Sequence, residues 1–273
     1  MKLIRRVKAF IIRDFQLAVS YRFEFLIKII WILGITTTFY FISRLATTGL
    51  IDFRYPNWEK LLPAWLTGLA MLNYFLVGFS SLANVIRQEQ MQGTLESVLL
   101  TPINLPSVIV SSSAWAYVEA TFYSFLYLFF GWFFFNVQYK GNYLLALVLM
   151  ILTTMSLACI GIVSASFAMV FKRGDPFGVL LGAGTALFSG VFYPKEMLSE
   201  ELGATGRAIS EVNPSTHGLD GIRSVLIQGK SFSEVQSELF VLLGFLVVLL
   251  PLSLWIFSLS VRKAKRDGSL IQY

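Results

Sequence analysis

Long apolar runs dominate this sequence and decide what it can fold into. The runs from Leu144 to Met155 and from Leu239 to Leu254 contain no charged residue. A helix needs about 20 mainly apolar residues to cross the hydrocarbon core of a bilayer. Six stretches reach or approach that length: about 26–45, 63–86, 107–135, 144–171, 177–193 and 239–261.

Composition agrees with a bilayer as the solvent. Of the 273 residues 56% are hydrophobic and 14% are charged, whereas about a quarter of the residues in a soluble domain are charged. The single cysteine, Cys159, and the single histidine, His217, argue against an intrachain disulfide and a Cys/His metal cluster. The sequence therefore predicts an all-α polytopic membrane protein with six transmembrane helices.

The first 25 residues alternate basic and apolar side chains. Arg13 and Asp14 interrupt the apolar pattern that a signal peptide would need. This alternation favours an amphipathic helix in the plane of an anionic cytoplasmic leaflet; the alternative is a solvated basic tail. We divide the chain into this segment (1–25), a transmembrane domain (26–261) and a basic cytoplasmic tail (262–273).

Positive charge predicts the orientation. With the N-terminus inside, thirteen Lys and Arg residues fall on the cytoplasmic side and eight on the opposite side, in longer loops. Cytoplasmic loops carry the excess of Lys and Arg, so we expect both termini inside. The outer stretch 194–238 reads as two short helices. The second has Leu219, Ile222, Val225 and Leu226 on one face, which predicts a re-entrant pair before the last span.

The loop between spans two and three is polar at its start and closed by a proline. It runs from Arg87 to Pro102, and Leu95, Val98 and Leu99 share one face. Thr94 is a suitable N-cap for a two-turn helix along the cytoplasmic surface. Such a helix has the length to insert into a groove of a partner protein.

Two motifs give the chain a family resemblance. Glu89 to Pro102 resembles the Glu-x-x-x-Gly-Thr-Leu-Glu-x-Leu-Leu-x-Thr-Pro signature of ABC-2 type permeases. The outer segment also resembles that family: Ser189-Gly190-Val191-Phe192-Tyr193-Pro194, then Asn213-Pro214, then Asp220-Gly221-Ile222-Arg223. The order and sidedness of the motifs extend the resemblance over essentially the whole chain.

The resemblance implies the membrane subunit of an ATP-driven exporter in a prokaryotic inner membrane. The loop would be the coupling helix, seated on a separate ATPase that binds ATP and Mg, and two permease copies would form the path. Since no Gly-x-x-x-x-Gly-Lys-Ser/Thr loop occurs in the sequence, we expect ATP hydrolysis in a partner chain. The expected coupling residues are Arg87, Glu89, Gly93, Thr94, Leu95, Glu96, Leu99, Thr101 and Pro102.

Polar residues within the apolar spans are candidates for the translocation path. They are Asn73, Ser80, Asn84, Glu119, Thr185 and Ser189, and the expected re-entrant landmarks are Tyr193, Pro194, Asn213, Pro214 and Arg223. For the polar residues of span two, hydrogen bonding between helices is the alternative to a path. Gly178 and Gly182 have the spacing of a close helix interface.

Glu119 has two readings, a gating or proton-linked site or a structural carboxylic acid. We expect no basic residue at its depth and hydroxyl partners from Thr153, Thr154 or Ser156. The substrate is expected to be hydrophobic or amphipathic, such as a drug, a lipid or a lipid-linked glycan. Two other classes stay open: a secondary transporter without an ATPase, and an intramembrane enzyme, which would need converging catalytic groups.

Overall fold

Nine helices make up the part of the chain that the computed structural model describes, which is residues 2–47, 61–91, 93, 105–171, 176–193 and 195–266. No strand occurs in these ranges. The helices are α1 (Lys2–Ser20), α2 (Arg22–Thr47), α3 (Leu61–Met91), α4 (Leu105–Phe135), α5 (Tyr143–Phe171), α6 (Pro176–Phe188), α7 (Lys195–Val212), α8 (Pro214–Leu226) and α9 (Phe232–Arg266).

Five of these helices are long and apolar enough to cross a membrane: α2, α3, α4, α5 and α9. The predicted fifth span, 177–193, is different. The helix at this place, α6, has 13 residues, and at 1.5 Å per residue it covers about 20 Å of a core about 30 Å thick. It ends before Ser189, and Gly190 has a φ of 78°, which a continuing helix does not allow. The prediction of six full-length spans thus holds for five.

Helix α3 lies at the centre of the fold. It packs against α2, α4, α5, α6 and α8, and Phe75 is among the largest fully buried side chains. Glycines let it approach α5 closely, because a Cβ atom at Gly161 would lie 2.1 Å from the carbonyl oxygen of Gly78. Such contacts through small residues are typical of helix packing in membranes.

Helix α1 is amphipathic, as the sequence predicts. Val7, Phe10, Ile11, Asp14 and Ala18 are half-buried and share one face, and α1 packs against α4. The basic side chains described on the other side of the helix are exposed: Arg5, Lys8 and Arg13. Its position in the membrane plane stays a prediction.

Helix α8 is buried among the longer helices. The four residues predicted to form its apolar face, Leu219, Ile222, Val225 and Leu226, are at most 5% exposed. A Cβ atom at Gly218 would lie 2.0 Å from Oγ1 of Thr153 in α5, so the glycine permits this close contact. Helix α7, which precedes it, is mostly exposed and is kinked at Gly203.

Large apolar side chains cover the outward faces of α2 and α9. Phe23, Trp31, Val247 and Val248 are each more than 60% exposed. In these two helices 11% and 17% of the residues in the most apolar window are buried. Apolar faces of this extent are stable only against lipid or another chain.

Candidate functional site

One face of α3 carries a polar stripe that the chain leaves open. Asn73 and Ser80 are half-buried and Asn84 is exposed. Their spacing of seven and four residues places them on the same side of the helix. Leu76, between them on this side, is 44% exposed. We call Asn73, Leu76, Ser80 and Asn84 the α3 stripe.

The α3 stripe makes its hydrogen bonds within its own helix. Asn73 Nδ2 donates to the carbonyl oxygen of Leu69 at 3.0 Å, and Ser80 Oγ donates to that of Leu76 at 2.7 Å. These bonds do not hold α3 to a neighbouring helix. The alternative reading of Asn73 and Ser80 as interhelical hydrogen-bonding residues therefore finds no support in the bonds that they make.

Two bonds between α3 and α4 come from residues that the sequence did not single out. Ser124 Oγ donates to the carbonyl oxygen of Ala70 at 2.5 Å, and Tyr74 OH donates to Thr121 Oγ1 at 2.8 Å. Their positions within long apolar runs gave no signal of a cross-helix partner. Because these bonds lie on the buried side of α3, they fix which face of the helix stays open.

Helix α6 borders the α3 stripe. A Cβ atom at Gly182 would lie 3.0 Å from Cδ2 of Leu76, whereas one at Gly184 would meet no atom within 4 Å. The expected contact at Gly182 is thus present, and it joins α6 to α3. The other two path candidates do not share the open face, since Thr185 and Ser189 are 5% and 1% exposed. Within the described part of the chain, Ser189 Oγ is buried without a hydrogen-bond partner.

Arg223 of α8 holds the non-helical segment that follows α6 against α3. This segment covers residues 189–193, and we call it the break. Its Nη1 donates to the carbonyl oxygen of Gly190 at 2.7 Å, and its Nη2 donates to that of Val191 at 3.1 Å. Nε and Nη2 also donate to the carbonyl oxygen of Ala64, at 3.1 and 2.8 Å. A guanidinium suits this geometry because its five N–H donors are fixed in one plane. We call these four bonds the Arg223 clamp.

Two residues of α3 complete the clamp. Trp65 Nε1 donates to the carbonyl oxygen of Phe192 at 2.7 Å, so three consecutive carbonyls of the break have side-chain donors. A Cβ atom at Gly68 would lie 2.7 Å from the oxygen of Val191 and 2.9 Å from Nη2 of Arg223. Only glycine fits there without a shift. Backbone that leaves a helix at membrane depth needs such partners.

The start of α8 is fixed by a conventional cap. Asn213 is extended, and its side chain accepts a hydrogen bond from the Ser215 backbone N–H at 3.1 Å. Pro214 occupies the first helical position, where no N–H is needed. His217 Nε2 lies 2.9 Å from the carbonyl oxygen of Glu211 in the last turn of α7, so it ties α7 to α8.

Tyr193 ends the break and lines a cavity of about 380 Å³ together with Arg223, Asp220, Lys230 and Glu238. Pro194 lies outside the described residues. Of the expected landmarks, Tyr193, Asn213, Pro214 and Arg223 thus cluster around the clamp and the start of α8.

The contacts of Glu119 differ from those that the sequence predicts. Lys28 Nζ lies 2.9 Å from Glu119 Oε1, and Tyr123 OH donates to the same oxygen at 2.9 Å. The expectation of no basic residue at that depth is wrong, because α2 brings Lys28 alongside α4. The expected hydroxyl partners bond elsewhere: Thr153, Thr154 and Ser156 donate to carbonyl oxygens of their own helix. Glu119 is therefore part of an ion pair that joins α4 to α2.

The first coupling residues continue the exposed end of α3. Arg87 is exposed and Glu89 is half-buried in its last turns. Gly93 is exposed with a φ of 66°, a left-handed conformation that glycine adopts freely after a helix end. The other expected coupling residues lie outside the described residues: Thr94, Leu95, Glu96, Leu99, Thr101 and Pro102.

Comparison with known families agrees with this architecture. The family model described as ABC-2 type transporter matches residues 5–227, which include most of α1, all of α2 to α8 and both landmark segments. The chain belongs to the ABC-2 type transporter family and forms a membrane domain of that family. A search of curated proteins gives no match to the chain.

Proposed function

We propose that the chain is the permease subunit of an ATP-driven exporter, which forms its path as a dimer with separate ATPase subunits. The observation that carries the proposal is the α3 stripe. It is open in the single chain and runs toward Arg87 and Glu89 at the end of α3, next to the predicted coupling loop.

The open side of α3 supports a path between two copies. Polar groups inside a membrane normally face protein or a water-filled space, yet Asn84 is exposed in the single chain. A second copy on this face would shield it from lipid. The stripe also includes Leu76, which is 44% exposed; such mixed lining suits a hydrophobic or amphipathic substrate.

The loop after α3 is the proposed contact with the ATPase. Leu95 and Leu99 would be its apolar anchors in a groove, and Glu96 with Arg87 its polar contacts. ATP and Mg would be bound by the ATPase. Because α3 precedes this loop and α4 follows it, movement of the loop would act directly on both helices.

The Arg223 clamp is the proposed closure at the outer end. It bonds the break after α6 to the first turns of α3, beyond the stripe. An ATPase shifts the permease between two states only by binding one of them better.

In this scheme both termini are cytoplasmic, and α6 with the break after it makes the fifth crossing of a prokaryotic inner membrane.

Substitution of the proposed anchors tests the coupling assignment. Leu99→Ala and Glu96→Ala should lower permease-stimulated ATPase activity while leaving the amount of permease in the membrane unchanged. Loss of one anchor worth about 1–2 kcal/mol weakens binding about 5- to 30-fold. Phe240→Ala is a matched control, because Phe240 is 69% exposed on α9. Full stimulation in both loop variants would contradict the assignment.

A further inference from the structure

A row of residues on α4 holds the first two helices of the chain. Trp115, Glu119 and Phe122 are spaced by four and three residues and share one face of α4. The ring of Phe15 in α1 meets that of Trp115 edge-on, with centroids 6.0 Å apart. The ring of Phe25 in α2 stacks on that of Phe122 at 5.4 Å. We call this row, with the Lys28–Glu119 pair at its centre, the α4 seam.

The ion pair at the centre of the seam is reinforced on both sides. Lys28 Nζ lies 2.9 Å from Glu119 and 3.1 Å from Glu24, and Tyr123 OH donates to Glu119. The side chains of Lys28 and Glu119 are 43% and 33% exposed, and the exposed apolar rings of Phe25 and Phe122 belong to the same seam. Removal of one partner leaves the other charge uncompensated in apolar surroundings, so the pair fixes how α2 sits along α4.

The seam is the attachment of α2 at its cytoplasmic end. Helix α1 packs chiefly on α4 and much less on α2, although α2 follows it directly. Beyond the seam one side of α2 is exposed, with Ile30 at 67% and Trp31 at 68%, whereas Ile32 and Thr36 on its other side are 5% and 0% exposed. At its other end Phe39 packs on Trp65 of α3, with ring centroids 5.1 Å apart. Helix α2 is thus joined to α4 by the seam, packs its inner side into the core through Ile32, and contacts α3 near its other end.

We propose that the Lys28–Glu119 ion pair makes α2 follow α4 when the ATPase moves the coupling loop. The inference rests on the proposed function, and it assigns Lys28 and Glu119 as positioning residues. Helix α4 begins at Leu105, directly after the loop, so the loop movement reaches α4 as directly as it reaches α3. The α4 seam then transmits the movement of α4 to α2 through its side-chain contacts. Contiguous packing of this kind carries a shift from one helix to its neighbour.

The experiment measures two distances by electron spin resonance in the complex with the ATPase in nanodiscs. Cys159, the single cysteine, is replaced by Ala, and spin-labelled cysteines replace exposed residues of three helices. One pair joins Trp31 in α2 to Val247 in α9, and the other joins Phe125 in α4 to Val247; all three are more than 60% exposed. Labelled copies are diluted with unlabelled ones, so that only distances within one chain contribute.

In the native complex, ATP should change both distances, by about 2 Å or more, the scale of helix shifts at interfaces. In Glu119→Gln the change between α4 and α9 should persist, and the change between α2 and α9 should fall at least twofold. Glu24→Gln is the matched control, since it removes the ion pair that Lys28 makes within α2; both changes should persist. Lys28→Glu with Glu119→Lys, made in the Glu24→Gln background, should restore the α2 response.

The outcomes separate this inference from the function on which it rests. A full α2 response in Glu119→Gln overturns the inference alone, as does a native complex in which α4 responds and α2 does not. No response of α4 in the native complex overturns the proposed coupling and the inference together. If Glu119→Gln does not assemble with the ATPase, the charge-reversed variant decides: an absent α2 response despite normal assembly counts against the pair.

Discussion

Replacement of Arg223 by Met should strongly destabilise the permease. Met has a similar length but no donor, so four hydrogen bonds to the carbonyl oxygens of Ala64, Gly190 and Val191 are lost. Removing only the donor leaves buried carbonyl oxygens without partners. This lowers the free energy of unfolding by more than the net contribution of one hydrogen bond. At about 0.6–1.5 kcal/mol for each bond in a membrane protein, the loss is about 2–6 kcal/mol.

That loss can be read as a change in the thermal midpoint. For a chain of this size, 1 kcal/mol corresponds to about 2–4 °C, so we expect Arg223→Met to lower the midpoint by about 5–20 °C. The assay heats the purified protein in detergent and measures the folded fraction by size-exclusion chromatography. Arg223→Lys should recover little, because an ammonium cannot span carbonyls on two sides.

Arg207→Met is the matched control. Arg207 lies on the exposed helix α7, where its Nε donates to Glu211 at 2.8 Å. That hydrogen bond and the nearby carboxylate raise the pKa of the Arg207 guanidinium above its ordinary value, and solvent screens the pair. We expect no measurable change in its midpoint. An Arg223→Met midpoint within about 1 °C of the native one would refute the clamp reasoning.

Two further predictions concern α3. Gly68→Ala brings a Cβ atom to 2.7 Å from the Val191 oxygen, and this overpacking should lower the free energy of unfolding by about 1–3 kcal/mol. Gly34→Ala is the control, because no atom lies within 4 Å of the added Cβ. Its thermal midpoint should be unchanged or slightly higher. Ser80→Cys in a cysteine-free background should react with a charged, water-soluble thiol reagent in membranes, whereas Val247→Cys should not. Equal midpoints for the two glycine variants, or an unreactive Ser80→Cys in every nucleotide state, would contradict these predictions.

Part of this architecture could be predicted from local sequence pattern. Apolar length predicted α2, α3, α4, α5 and α9, because each of them must satisfy its backbone within one continuous helix. The spacing of Leu219, Ile222, Val225 and Leu226 predicted the buried face of α8. Asn213-Pro214 predicted where that helix begins, since capping depends on neighbouring residues alone.

The end of α6 could not be predicted in the same way. The sequence stays apolar from Leu180 to Tyr193 with few interruptions, so hydropathy does not mark where the helix stops. The break is stable because Arg223 and Trp65 supply donors to its carbonyls. These donors are 33 and 127 residues away along the chain, and only the folded arrangement brings them together.

The partner of Glu119 was missed for a different reason. A sequence gives the depth of a residue along its own helix and says nothing about how two helices are shifted relative to each other. Lys28 is six residues into α2 and Glu119 fourteen into α4, yet the two side chains meet. A signal existed in Lys28 itself, the one basic residue within the first predicted apolar stretch before Arg44; a lone charge inside a span calls for a partner.

Co-purification is the sharpest test of the proposal that this chain is an ATPase-driven permease. The tagged chain is extracted into nanodiscs from its native membrane, and the proteins that accompany it are identified and quantified. We expect a stoichiometric ATPase with a Gly-x-x-x-x-Gly-Lys-Ser/Thr loop, which detaches when the segment from Glu89 to Thr101 is scrambled. Recovery of the native chain without any such ATPase, under conditions that preserve other membrane complexes, would contradict it.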